Sequence, residues 1–223
     1  MLDTLPQRMY LLSYTVDKER FEVGNLQFRG QKLRAAALVD LVAAGLVTVI
    51  PGKKETVVRS TTAPPEDSFL AEVWHEAPPD DPQSWLDLVH ARAHTAESSV
   101  REQLHELGEI TIGDENRKKL AMLSQHQVAV NHPEHALALQ DKAREPILRG
   151  LDPAEIPLRD LAMTVLATEA DYQHHIFTRG DARTHKKAIK AYGAYFDTAV
   201  PGLRKAVQTS MAVLRPSGGG WGS

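Results

Sequence analysis

Two cations, Lys32 and Arg34, stand just ahead of an apolar run, and their placement is the first chemical feature of this sequence. They lie in the stretch Gln31 to Arg59, QKLRAAALVDLVAAGLVTVIPGKKETVVR. Leu38, Leu41, Val42 and Leu46 recur there at steps of three and four, so a helix is expected over Gln31–Ala44, with Asp40 its only acid. The first turn of a helix carries partial positive charge, which makes a cation there mildly unfavourable. On a helical wheel Arg34 also falls beside the Leu38/Leu41 stripe. Two environments relieve this placement. One is an anion held jointly by Arg34 and helix-start N–H groups, the chemistry of a phosphate site. The other is a carboxylate partner, or a stem that carries the charge out to water.

Other chemistries fail on spacing. His126, His132 and His135 could invite a metal, but Pro133 breaks the helix that would align the last two. His174 and His175 are adjacent, so their side chains diverge on a helix. Arg179-Gly180-Asp181 reads as a turn between helices. The chain has no Gly-x-Ser-x-Gly, no P-loop, no Gly-x-Gly-x-x-Gly and no cysteine. Gly218-Gly219-Gly220 belongs to a tail, and the acids form no convincing catalytic pair. The expectation is a protein that is not an enzyme, with no catalytic residue, metal or cofactor.

The elements that would position Arg34 follow from the same stretch. Gly45 ends the helix as a C-terminal cap. Val47 and Val49, then Thr56 and Val58, alternate like two strands joined at Pro51-Gly52. A second unit of this kind is expected later: a helix over Ser98–Leu107, Gly108, then a strand over 109–112, with 117–127 either returning as its second strand or forming an irregular loop. Further helices are expected over Leu5–Thr15, from Asp67 or Ser68 to Glu76, Ser84–Arg92, Pro133–Arg149, Pro157–Thr168, Ala170–Thr178, Ala182–Phe196 and Pro201–Leu214. Phe21 to Phe28 reads as ambiguous, with Gly24-Asn25 loop-like. The expected fold is mainly α: a single compact multi-helix domain over 1–214, built around a central hydrophobic helix, with two short β-hairpins and a disordered tail over 215–223.

Bulk properties fit that reading. The 223 residues are 42% apolar, enough for one large core. The formal charge of −3 hides an uneven distribution. Residues 1–59 carry nine bases against six acids, residues 60–115 two against thirteen, and residues 116–223 fifteen against ten. Basic ends flanking an acidic middle make either a solvated acidic surface or a dipole that turns a basic side toward an anionic surface. No apolar run approaches the roughly 20 residues that span a bilayer, and none resembles a signal peptide. A cytoplasmic protein that lies at most on a membrane is expected.

LRAAALVDLVAAGLVTV resembles the helix-and-strand signature of the Golgi phosphoprotein family, through Leu33-Arg34, Asp40-Leu41 and Gly45. The likeness continues in order through Leu5–Tyr14, Ser84-Trp85-Leu86-Asp87-Leu88, Val100-Arg101-Glu102 with Leu104, and His132-Pro133, and covers about Leu5 to Val213. Members of this family are peripheral membrane proteins that bind phosphatidylinositol 4-phosphate, and the chain is similar to its bacterial-type members. The resemblance implies a pocket built from an aromatic residue, the arginine of the Leu-Arg helix and two arginines spaced i, i+3 on a later helix. Arg34 and Arg101 match two of these features and are the ligand-binding residues it implies. The remaining arginine position falls on Ser98 and the aromatic one near Asn25, with Phe21 or Phe28 as substitutes. Read from its spacing alone, Arg101 also suits an i, i+4 salt bridge with Glu97.

The resemblance thus implies a peripheral membrane protein that recognises an anionic phospholipid or phosphoinositide headgroup, with membrane contact or self-association through the 109–130 segment. The apolar residues of that segment exceed what one short hairpin buries, so a homo-oligomer contact is expected there. A winged-helix nucleic-acid binder, with Lys53-Lys54 at the wing tip, is the alternative. Its reading helix would be mostly Ala, Leu and Val, so no nucleic-acid partner is expected. A protein-interaction adaptor without a lipid ligand is a third reading.

Overall fold

A computed structural model of the chain describes residues 2–21, 26–52, 55–113, 128–169 and 176–214. Its axis is helix α2, Leu26–Ala43. Every residue from Phe28 to Leu41 is buried, so α2 runs through the interior with neighbours on all sides. The helix begins five residues before the expected Gln31, and Gly30 explains why. A Cβ built on Gly30 would lie 1.7 Å from the carbonyl oxygen of Ala93. Glycine is there because another helix's backbone crosses at that point, not because the chain turns.

Four of the polar residues buried on α2 each reach a different neighbour. Asp40 accepts from the backbone N–H of Leu5 at 2.6 Å, holding α1 (Leu5–Leu12) against α2, and from Arg159 Nε at 2.7 Å, holding α7 (Leu158–Thr168). Lys32 Nζ donates to the carbonyl of Glu169 at 2.6 Å. Arg29 donates to Glu97 on α5 (Ala93–Glu106) at 2.7 Å. Arg34 reaches α3 (Ser68–His75) and α4 (Trp85–His90) through Glu76 and Leu88. Buried ions of this kind fix which surface meets which, because mispairing leaves a charge without compensation.

The expected helix–glycine–strand unit occurs twice. Gly45, at φ +67°, follows α2 and leads into β3 (Val47–Ile50), paired antiparallel with β4 (Thr56–Arg59). Gly108, at φ +72°, follows α5 and leads into β6 (Ile110–Ile112). Its antiparallel partner is β7 (Val128–Val130), with Ile110 opposite Val130. The stretch 117–127, expected as a return strand or an irregular loop, lies outside the described residues. Two pairings had no signal in the sequence. Tyr14–Thr15 (β1) pairs with Arg20–Phe21 (β2), and Gln83–Ser84 (β5) adds a third strand to β4.

The remaining helices are α6 (Pro133–Leu148), α8 (Arg179–Thr184), α9 (Lys186–Ala199) and α10 (Leu203–Leu214). Side chains at one end cap several of the elements: Asp67 accepts from Leu70 N before α3, and Ser84 from Asp87 N before α4. The single helix expected over Ala182–Phe196 is two, broken at His185. The expectations for Ala170–Thr178 fall largely, and those for the tail from Arg215 wholly, outside the described residues. One continuous core joins Leu5, Phe28, Leu38, Trp74, Leu166 and Phe196. The fold is mainly α, wrapped around one central buried helix, with short antiparallel sheets of two or three strands.

Candidate anion-binding site

Arg34 is the ninth residue of α2, not a residue of its first turn. The helix-start N–H groups that would have shared an anion with it are therefore absent from its surroundings. Its side chain is fully buried. Nε donates to the Leu88 carbonyl at 2.6 Å, and Nη2 pairs with the Glu76 carboxylate. Arg92 stands on the far side of that carboxylate, 3.7 Å from its other oxygen. Burial lowers the Arg34 pKa from the ordinary arginine value, and Glu76 opposes the shift. Of the two environments open to Arg34, the carboxylate partner is the one observed.

Arg101 is elsewhere. It lines a cavity of about 1080 Å³ bounded by α1, the β1–β2 hairpin, the N-terminal turns of α2, the middle of α5 and the β6–β7 hairpin. Arg34 is not among the lining residues. The structure therefore does not bring Arg34 and Arg101 to one pocket among the described residues. The cation that meets Arg101 there is Arg29.

Arg29 is 2% exposed. Its guanidinium donates to Glu97 Oε1 and lies 4.9 Å from the ring centre of Phe21 and 5.5 Å from that of Tyr10. Aromatic faces and the Glu97 carboxylate thus help compensate a charge taken almost wholly out of water. The rings brace one another: Phe21 is 4.8 Å from Tyr10 and 5.1 Å from Tyr14, centroid to centroid. Burial, then Glu19, pushes the Tyr14 phenol pKa up, so the phenol keeps its proton.

Arg101 is less completely engaged. Its Nη1 stands 3.9 Å from Glu97 Oε1, an ion-pair distance but not a hydrogen bond. Its Nε is buried with no hydrogen-bond partner. The i, i+4 contact with Glu97 expected from the spacing is present. It leaves a charged donor in the cavity wall without an acceptor. Lys18 and Arg20 add two more cations to the wall, against Glu97 and Glu19. Convergent guanidinium groups backed by aromatic rings suit a phosphate or another compact anion carrying an apolar or sugar-like body.

The remaining positions sort as follows. Ser98 turns its hydroxyl back to the Thr95 carbonyl at 2.7 Å. Of the two possible aromatic substitutes, Phe21 lines the cavity and Phe28 is buried in the core. Asn25, Lys53, Lys54 and His126 lie outside the described residues. His132 and His135 pair with Glu134 at 3.3 Å and Glu109 at 2.9 Å, and among the described residues no group of three or more ligands could hold a metal ion. Arg29 was missed from sequence because it lies ahead of the expected helix start at Gln31, just after the ambiguous stretch Phe21 to Phe28.

A family model described as Golgi phosphoprotein 3 (GPP34) matches residues 5–210. The chain belongs to the Golgi phosphoprotein 3 family. A comparison with curated proteins finds no individual match. In this GPP34 member the matched region takes in every element that bounds the cavity. No helix among the described residues is long and apolar enough to cross a membrane.

Proposed function

We propose that this GPP34 protein binds an anionic phospholipid headgroup, of the phosphatidylinositol 4-phosphate type, in the cavity that holds Arg29 and Arg101, and so works as a peripheral protein at a membrane surface. The observation that carries the reading is the Arg101 Nε, a buried donor without an acceptor in the wall of a cavity that also presents a buried arginine. A phosphate oxygen would give that donor its acceptor. Tyr10, Tyr14 and Phe21 offer a wall for the inositol ring. The winged-helix alternative is disfavoured by α2 itself, which is buried from Phe28 to Leu41 and presents no face to a groove.

The test is vesicle co-sedimentation at low and near-physiological salt, with phosphatidylinositol 4-phosphate in one preparation and neutral lipid alone in the other. A charge-assisted contact contributes about 1.5–3 kcal/mol, so Arg101→Gln weakens binding about tenfold or more. Equal binding to neutral vesicles, or indifference to Arg101→Gln, overturns the proposal.

A further inference from the structure

The cavity already contains an anion of its own. Glu97 Oε1 is hydrogen-bonded to Arg29 Nη1 at 2.7 Å and stands 3.9 Å from Arg101 Nη1, so one carboxylate oxygen is shared between cations from two helices. Its side chain is 23% exposed, whereas that of Arg29 is 2% exposed and that of Arg101 is 15% exposed. The carboxylate is the member of this trio with the freest access to water. It also satisfies the two arginines unequally: Arg29 donates a hydrogen bond to it, Arg101 makes only an ion pair with it, and Arg101 Nε has no acceptor.

Resting on the reading of this cavity as a phosphate site, we propose that Glu97 is a built-in competitor of the ligand. In the free protein it occupies the position between Arg29 and Arg101 that a phosphate oxygen takes in the bound one. A phosphate presents several acceptor oxygens, so it can serve both guanidinium groups and the Arg101 Nε together, which a single shared carboxylate oxygen does not. Binding then exchanges Glu97 for phosphate: the carboxylate rotates into water and the cations keep a counter-charge throughout. The arrangement gives Arg29 and Arg101 a shared counter-charge in the free state, and it raises the density of anionic lipid at which binding begins.

The opposite role is as concrete. If Glu97 instead holds Arg29 and Arg101 in their binding geometry while the ligand is bound, removing its charge loosens the site. The two roles predict opposite signs, which makes Glu97→Gln decisive. Glutamine keeps the length and can still hydrogen-bond but offers the arginines no counter-charge, so the free state loses the charge compensation that the ligand must displace.

Native protein, Glu97→Gln, Arg101→Gln and the double variant are compared for binding to vesicles of phosphatidylcholine with and without phosphatidic acid. Circular dichroism checks the fold of each. The competitor role predicts that Glu97→Gln binds phosphatidic acid vesicles about tenfold more tightly than native, and that the gain largely disappears in the double variant. Inorganic phosphate should also raise the unfolding temperature of Glu97→Gln by more than it raises that of the native protein. If Glu97→Gln is unfolded even with phosphate, Glu97→Asp decides, because the shorter carboxylate should give a smaller gain of the same sign. Native binding with unchanged or weaker binding by the folded Glu variant overturns the competitor role and leaves the site reading standing. No preference of any form for phosphatidic acid over phosphatidylcholine overturns the competitor role, and the same indifference to phosphatidylinositol 4-phosphate overturns the site reading as well.

Discussion

Replacing Arg34 by alanine should unfold this protein before it unbinds anything. The guanidinium is fully buried, pairs with Glu76 and donates to the Leu88 carbonyl at 2.6 Å. Alanine deletes all of this at once: Glu76 loses its cation, Leu88 loses its donor and the space around the long side chain empties. Breaking a buried pair by removing one partner costs about 3–5 kcal/mol. The lower end applies here, because Glu76 is 20% exposed and has Arg92 Nε at 3.7 Å as a second partner. A loss of about 3 kcal/mol is a large part of a typical 5–15 kcal/mol. At roughly 2–4 °C per kcal/mol for a chain of this size, the melting temperature falls by about 6–12 °C. Urea unfolding followed by circular dichroism measures the loss. A cycle with Glu76→Gln isolates the pair, and the two single losses should sum to clearly more than the loss in the double variant. Arg34→Met, which refills much of the volume, should lose less and should bind phosphoinositide vesicles within about twofold of native. A urea midpoint unchanged in Arg34→Ala, together with lost vesicle binding, would refute the reasoning and return Arg34 to the ligand site.

Three further outcomes are expected. Burial raises the Asp40 carboxyl pKa above its ordinary value, against the pull of Leu5 N–H and Arg159. Between about 4 and that raised value the folded protein holds a proton that the unfolded chain has released, so this group's contribution to stability rises as pH falls through that window and is lost as pH climbs back. Urea midpoints across that range should lose this component of their slope in Asp40→Asn, and identical slopes would contradict it. Gly30→Ala forces a methyl into the Ala93 carbonyl at 1.7 Å and should prevent or severely weaken folding; a native-like melting temperature would show that the α2–α5 crossing is looser than described. Self-association through the 109–130 segment is expected because β6 and β7 form a two-stranded sheet with half-buried Ile112 and Val128, so Ile112→Asp with Val128→Asp should lower the sedimentation mass of an oligomer. An equal mass in both forms would remove this contact from the account.

Much of the frame was legible because it is local. The Leu38/Leu41 spacing, the caps at Asp67 and Ser84 and the left-handed glycines at 45 and 108 each encode their structure within a few residues. What was not legible depends on residues far apart in the chain. Phe21 to Phe28 reads as ambiguous and the apolar spacing that marks α2 registers only beyond Gln31, so the expected start of α2 falls past Arg29; the need for glycine at position 30 shows only when Ala93 is placed against it. With the start misplaced, Arg34 looked like a first-turn cation, and its partner Glu76, 42 residues away, carried no signal of the pairing. Arg101 and its Glu97 contact were readable from i, i+4 spacing. Their meeting with Arg29 was not, because it depends on the angle at which α2 crosses α5. The strands β1, β2 and β5 are two residues long, too short for alternation to register.

The central claim is that the Arg101 guanidinium receives the phosphate of an anionic headgroup. The most direct measurement is the Nε–H resonance of Arg101, assigned through Arg101→Lys and followed while a soluble short-chain phosphatidylinositol 4-phosphate is added. The account predicts a saturable downfield shift as that donor gains its acceptor, with the Arg34 Nε–H, already bonded to Leu88, left in place. An unmoved Arg101 signal at saturating ligand, or a shift carried by Arg34 instead, would contradict it.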